Sequence, residues 1–204
     1  MKPLIAIDID EVLFGFTERF VAFHNRQYQT EFALHQITST SFHTVIGGTA
    51  SDDARKVGEF QLEEGNLDGE PVPRAIEVLG RLKADYELVV VTARHSVIER
   101  QTRSWLERTF PKTFSDIHFA NYWDENRPRR TKGEVCRELG AQIIVDDQPD
   151  YIKDCLDHDV KGILFGDYPW NQESIDHPGV RRAKDWSEVE TAITEHKPYT
   201  FLNV

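Results

Sequence analysis

Two aspartates one residue apart, Asp8 and Asp10 in IAIDIDEVL, follow an apolar run. Thr92 sits in LVVVTAR, Lys132 in TKGEV, and Asp146 and Asp147 in IIVDDQPD. These residue types fit phosphoryl transfer. A carboxylate can attack phosphorus to give an aspartyl-phosphate, and a second carboxyl can protonate the leaving oxygen and later activate the water that clears the intermediate. Residues i and i+2 of a strand share a face, so Asp8 and Asp10 can reach one substrate as the chain leaves a sheet. Carboxylates gathered around a phosphate dianion repel it, by about 4 kcal/mol per pair of unit charges at close range and an effective dielectric near 20. The site therefore needs cations. Mg²⁺, which takes oxygen ligands, suits Asp8, the Asp10 carbonyl, Asp146 and Asp147, while Lys132 supplies a fixed positive charge and Thr92 a hydroxyl donor.

Each piece alone has a plainer reading. A DxD can be a turn or a helix cap, Thr92 a strand-end threonine, Lys132 a surface lysine, and the Asp146-Asp147 pair a loop start before Pro149. Their joint order and strand context favour a phosphate-handling enzyme, because open α/β sheets place active sites at strand carboxyl ends. Ala93 and Arg94, directly after Thr92, are candidates to touch the substrate. So is Arg130, in the basic run from Arg127 through Pro128, Arg129 and Arg130 to Lys132, although such a run can equally be a solvated face.

The elements that must position these groups read as an α/β protein with a three-layer, Rossmann-like parallel sheet. Strands are expected over residues 4–8, 88–92, 116–120, 142–146 and 161–165, with helices between them. Residues 73–84 place Ile76, Leu79 and Leu82 on one helical stripe. Capping boxes are expected at Ser96–Glu99, Thr131–Glu134 and Ser187–Glu190, and Gly140 closes the helix that Thr131 opens. The second box sets Lys132 in a first helical turn, where free N–H groups and the macrodipole also favour an anion. Residues 15–71 are too long for an ordinary connection and too patterned for a disordered loop. They read as a helical insertion, with Phe16, Phe20 and Phe23 at i, i+4 and i+7, a second helix over 51–66, and Gly47-Gly48 as a hinge. The core is then 1–14 and 72–204.

The chain has 204 residues, 35 Asp and Glu against 24 Lys and Arg, and a net charge of −11. That balance argues against binding a nucleic-acid polymer, whereas a small anionic substrate needs only a local positive patch. The N-terminal apolar run is too short for a signal peptide, and no stretch approaches a membrane span. Cys136 and Cys155 show no CxxC spacing, which suits reduced core thiols and a cytoplasmic location. The eight histidines form no metal-ligand pattern.

With DIDEV, VVVT, the helix-initial lysine and VDD in this order, the chain resembles the haloacid dehalogenase superfamily of phosphohydrolases from about Lys2 to Phe165. The resemblance implies Asp8 as nucleophile, Asp10 as general acid and base, and Thr92 and Lys132 as holders of the phosphoryl group. It implies Asp147 as a direct Mg²⁺ ligand, with Asp146 acting through water. It also implies that residues 15–71 are a cap that shields the reacting phosphate. Asp10 favours phosphatases, since the superfamily's dehalogenases lack the second aspartate and its transport ATPases carry threonine there. The small helical cap and the DIDEVLFGF opening look most like the deoxyribonucleotide 5′-nucleotidases, which implies a nucleotide substrate. Phe16 then either matches an aromatic that stacks on the base or packs in the cap's own core. Glu11 stands where glycine is usual, Ala93 replaces a common hydroxyl residue, and the cap has no tryptophan. Trp105, Trp123, Trp170 and Trp186 all lie outside it, and Trp170 either borders the site mouth or packs under a loop. A phosphatase for a protein or nucleic-acid end, and a non-catalytic module on the same fold, are the alternatives.

Overall fold

The computed structural model describes residues 2–120 and 129–195; Trp123, Arg127 and Pro128 lie outside the described residues. The β-branched runs form strands β1 (Leu4–Ile7), β2 (Glu87–Thr92), β3 (Ile117–Phe119), β4 (Ala141–Asp146) and β5 (Lys161–Phe165). A sixth, β6 (Val180–Ala183), escapes a reading by apolar runs because its sequence VRRA buries only Ala183. The strands pair in parallel in the order β3-β2-β1-β4-β5-β6. From β1 the chain moves outward through β2 and β3, then returns to lay β4 on the other side of β1. The order reverses there, and the crevice beyond the strand ends is where such sheets bind ligands. Ile7 lies opposite both Val90 and Val145 in register, and the Asp8 N–H donates to the Val145 carbonyl at 3.0 Å. Asp8, Thr92 and Asp146 thus leave adjacent strands at one level.

Both faces of the sheet are covered, which is why its central strands β1, β2, β4 and β5 are largely apolar. Helices α1 (Phe16–Tyr28), α2 (His43–Ile46) and α3 (Ala50–Leu62) lie between β1 and β2, followed by α4 (Ala75–Leu82). Helix α5 (Glu99–Thr109) precedes β3, α6 (Lys132–Leu139) precedes β4, α7 (Pro149–Asp157) precedes β5, and α8 (Trp186–Glu195) follows β6. Ile5, Ile7, Val90, Val145 and Phe165 join the core that holds the buried residues of α4 and α8, whereas Ala6, Val89, Val91, Ile144 and Leu164 join the one that holds those of α6 and α7.

Several local expectations shift. In α4 the buried stripe is Ala75, Val78, Leu79 and Leu82, while Ile76 is 51 % exposed. Before α5 the chain makes a 3-10 turn capped by His95, whose Nδ1 accepts the Val97 N–H at 3.1 Å, so Ser96 lies inside that turn and opens no α-helix. Helix α3 starts at Ala50 under a Thr49/Asp52 box and ends at Leu62. Asp185 caps α8 by accepting the Ser187 and Glu188 N–H groups at 2.7 and 3.1 Å, and Glu190 instead pairs with Arg81 at 2.6 Å. The Thr131/Glu134 box and the left-handed Gly140 cap of α6 are present as expected.

Residues 15–71 leave and rejoin the sheet domain side by side. Phe14 bridges Pro71, and the Val72 N–H donates to Leu13 at 2.8 Å. The helices of this insertion are held by aromatic packing, with Phe20 and Phe42 centroids 4.5 Å apart and Phe60 edge-on to Phe16 at 5.1 Å. Phe16, Phe20 and Phe23 are all buried.

Close packing of α6 on α7 fixes the start of α6. A methyl added at Gly133 would lie 2.4 Å from His158 Nδ1 and 2.6 Å from the Asp154 carbonyl oxygen, and the Gly133 N–H donates to Asp154 Oδ2 at 2.8 Å. Gly133→Ala is therefore expected to cost about 1–3 kcal/mol, as overpacking does, and to displace the adjacent Lys132. Urea denaturation measures the first effect, and an unchanged midpoint would refute this account of the helix contact.

Candidate active site

The ends of β1, β2 and β4 and the start of α6 deliver four carboxylates and two cations to one place. Lys132 is wholly buried, and its Nζ lies 2.8 Å from Asp8 Oδ1 and 2.7 Å from Asp146 Oδ2, with the Tyr151 ring 4.3 Å beneath it. Burial pulls an ammonium toward neutrality, but Asp146 and Asp8 outweigh that and hold Lys132 well above an ordinary lysine. Burial likewise raises Asp8, to about 7, against the opposing pull of Lys132 and with help from Asp146 and Asp10. Asp147 is raised well above the usual carboxylate range by burial and by Asp146, Asp8 and Glu11. A bound cation would relieve the burial and mutual repulsion that raise these carboxylates.

Oxygens of Asp8, Asp146 and Asp147 lie within 4.8 Å of one another, and all three residues are buried. A hard, oxygen-only donor set of this kind fits a divalent cation such as Mg²⁺. The hydrogen bonds rank the three. Asp146 commits one oxygen to Lys132 and the other to the Gln148 N–H at 2.9 Å. Asp147 places both of its donors, Trp170 Nε1 at 2.7 Å and Gln148 Nε2 at 2.6 Å, on Oδ2 and leaves Oδ1 for a metal. Asp10 is outside this group because its carboxylate faces Arg94, which leaves its backbone carbonyl as its route to a cation.

Thr92 ends β2 buried, and its Oγ1 accepts the Arg94 N–H at 3.2 Å, so its own proton remains to donate. Ala93 is half-buried between them. Arg94 is buried and bound to Asp10, and the guanidinium of Arg130 pairs with the exposed carboxylate of Glu138 on α6, directed along the helix surface. The Phe16 ring packs against Phe20 and Phe60 and keeps 8 % of the residue exposed.

The sequence left Trp170 between the site mouth and packing under a loop, and it did not single out Tyr168. Trp170 reaches the site because Gly166, at φ +83, turns the chain sharply after β5; an added methyl there would lie 2.1 Å from the Tyr168 ring. Tyr168 stacks on Trp170 at 4.7 Å and donates its hydroxyl to the Glu11 carbonyl at 2.8 Å. Glu11 adopts the left-handed backbone, φ +65, in which glycine is freest. Its carboxylate accepts the Thr17 N–H at the start of α1, which gives a non-glycine residue a reason to be there.

The raised carboxylates fix a pH dependence. Between the unfolded value of 3.8 and the folded value of about 7 for Asp8, the native state holds protons that the unfolded chain has lost, so stability is fullest at acid pH and falls as pH rises through about 7. In chelator, the melting temperature is expected to drop between about pH 5.5 and about pH 8, and Asp147→Asn should raise it at the upper pH by removing one buried charge. Thermal melts of both proteins test this; a wild type no less stable at the upper pH, together with a neutral Asp147→Asn, would contradict it.

No curated protein matches the chain in sequence. Among solved structures, a predicted phosphatase from Clostridium acetobutylicum is 16 % identical with a TM-score of 0.70, over 96 % of this chain and 99 % of its own. A haloacid dehalogenase-like family protein from Streptococcus pneumoniae is 12 % identical, with a TM-score of 0.67, over 94 % of this chain and 98 % of its own. The HAD-hydrolase YfnB from Bacillus subtilis, solved bound to magnesium, is 13 % identical with a TM-score of 0.65, over 94 % and 98 %. These likenesses establish the haloacid dehalogenase-like fold. The family model described as 5′ nucleotidase, deoxy (pyrimidine), cytosolic type C protein (NT5C) matches residues 2–198, and the chain belongs to that family.

Proposed function

We propose that the chain is a Mg²⁺-dependent phosphomonoesterase that works through an aspartyl-phosphate on Asp8, with a small phosphorylated metabolite, a deoxyribonucleoside 5′-monophosphate in particular, as substrate. The observation that carries this reading is Lys132, buried between Asp8 and Asp146 beside a three-carboxylate cluster. A binding-only module has no need for that arrangement together with Asp10. The family supports the nucleotide and a cytosolic location. Among the described residues no helix is long and apolar enough to cross a membrane.

In this reading Asp8, steadied through Oδ1 by Lys132, attacks phosphorus. Asp10 gives a proton to the leaving oxygen as the ester P–O bond breaks, then takes one from the water that opens the acyl phosphate and restores Asp8. Thr92 donates its hydroxyl to a phosphoryl oxygen, with Ala93 leaving room beside it, and Lys132 neutralises the group at the start of α6. Asp8, Asp147 and the Asp10 carbonyl would hold Mg²⁺, with Asp146 acting through water; the ion offsets charge on the phosphate and the carboxylates when bound.

Residues 15–71 serve as a cap that keeps bulk water from the phosphoryl group and meets the leaving group. Two contacts with the core support this. Thr40 Oγ1 donates to Gln148 Oε1 at 3.1 Å, and the start of α1 is held by Glu11. Phe16, at that start, presents its remaining exposed edge to the nucleoside. Arg130, released from Glu138, is a candidate to meet the substrate at the site rim.

Asp8→Asn is expected to abolish phosphate release from nucleoside monophosphates, and chelation to stop the wild type reversibly. Asp10→Asn should lose about 10²- to 10⁴-fold, the usual size of general acid-base help. Colorimetric phosphate assays with and without Mg²⁺ decide the matter, and turnover by the Asp8 variant or in excess chelator would end the proposal.

For Phe16, a leucine preserves packing that alanine would forfeit at roughly 3–5 kcal/mol. If a base stacks on the ring, Phe16→Leu should weaken a nucleotide by about 1–3 kcal/mol while leaving a small aryl phosphate unchanged. Equal kinetics on both substrates, at an unchanged melting temperature, would confine Phe16 to the packing of the cap.

A further inference from the structure

We infer that Arg94 is a positioning residue that aims Asp10, rather than a residue that binds the substrate. This rests on the phosphatase reading above and assigns a part of the site that reading leaves open. The Arg94 side chain is 1 % exposed, whereas that of Asp10 is 29 % exposed, so the guanidinium lies behind the carboxylate as seen from solvent. Each of its three nitrogens has a partner within the protein. Nε lies 3.1 Å from both Asp10 oxygens, Nη2 lies 2.6 Å from Oδ1, and Nη1 lies 3.2 Å from Oγ1 of the fully buried Thr102 on α5. The Phe14 ring, 5.1 Å from the guanidinium carbon, closes one face.

The fork does more than pair charge. Oδ1 takes the short Nη2 contact as well as a share of Nε, while Oδ2 takes only its share of Nε. Oδ1 is thus the anchored oxygen and Oδ2 the working one. In the first half-reaction the Oδ2 proton passes to the leaving oxygen as the Asp8–phosphorus bond forms and the ester P–O bond breaks. In the second, Oδ2 takes a proton from water as the water oxygen bonds to phosphorus and the bond to Asp8 breaks. A lysine could supply the charge, but it could not hold both oxygens and Thr102 in one plane. Arg94 also gives its backbone N–H to Thr92, so one strand end sets both the phosphate donor and the direction of the proton carrier.

The test compares a nucleoside 5′-monophosphate, whose alkoxide leaving group needs a proton, with p-nitrophenyl phosphate, whose leaving group does not. Arg94→Ala should lower kcat on the nucleotide by on the order of 10²-fold, the penalty of a misaimed reacting group, with KM within about twofold and a much smaller loss in the nitrophenol burst. Arg94→Lys should resemble the alanine variant. Thr102→Val, which keeps the buried shape and removes one anchor, should show the same pattern more weakly, and it stands in for Arg94→Ala should that variant melt early. In an Asp10→Asn background, Arg94→Ala should add nothing. Overturning results are a KM increase shared by both substrates, full rescue by lysine, or a further loss in the Asp10→Asn background, each of which makes Arg94 a phosphate binder. Asp10→Asn itself reports on the underlying reading: if it affects both esters alike, the assignment of Asp10 fails, and Arg94 with it; if it separates them and the Arg94 variants do not, only this inference fails.

Discussion

The structure depends on a lysine held where lysines are rarely found. Burying an unpaired ammonium is costly enough that it would shed its proton, so Lys132 stays charged only because Asp8 and Asp146 meet it at 2.8 and 2.7 Å. The dependence is mutual, since burial raises both carboxylates and Lys132 pulls them back toward the ionised form. This triad ties together β1, β4 and the first turn of α6. The parallel register that aligns Ile7 with Val145, the Thr131/Glu134 box and the tight contact at Gly133 each serve to bring these three groups to one point.

Topology accounts for how so few residues suffice. Because the strand order reverses at β1 and β4, Asp8 and Asp146 come from neighbouring strands and Thr92 from the strand on the opposite side of β1. Charges 138 residues apart in sequence, Asp8 and Asp146, become near neighbours with no long side chain needed to span the gap. The surplus of carboxylates over cations then makes the empty site electrostatically unfavourable and a divalent cation or a cation-bound phosphate favourable. An arrangement tuned for stability alone would replace such a cluster with apolar groups.

Much of this was legible in the sequence because the informative signals were local. Apolar runs announced strands β1 to β5 within one residue or so at each end, and Asp8, Thr92, Lys132, Asp146 and Asp147 each sat beside such a run or a cap. What stayed hidden lacked a local sign. Strand β6 buries only Ala183 under an arginine-rich sequence; the choice between the two readings of Trp170 depends on the turn at Gly166; and His95 usurped a cap that Ser96 could have supplied. Ile76 fitted the helical stripe but faces solvent, because Val78, one residue before Leu79, takes the inward position. Arg94 was seen as a candidate, but its direction, toward Asp10 and Thr102, belongs to packing between β2 and α5.

Residues 15–71 are anchored beside the carboxylate cluster at several points. Their two ends meet at Phe14 and Pro71, and further contacts tie them to the core at Thr40–Gln148 and Gly69–Trp105. Phe14 carries the Arg94 guanidinium on its ring and packs edge-on to Trp105 at 5.3 Å, and Arg19 of α1 approaches the same ring at 5.3 Å. Glu11, one residue after Asp10, receives the first turn of α1. Residues 15–71 therefore touch the surroundings of Asp10 through Glu11 and Phe14, and those of Asp147 through Thr40 and Gln148, whereas Lys132 meets Asp8 from α6.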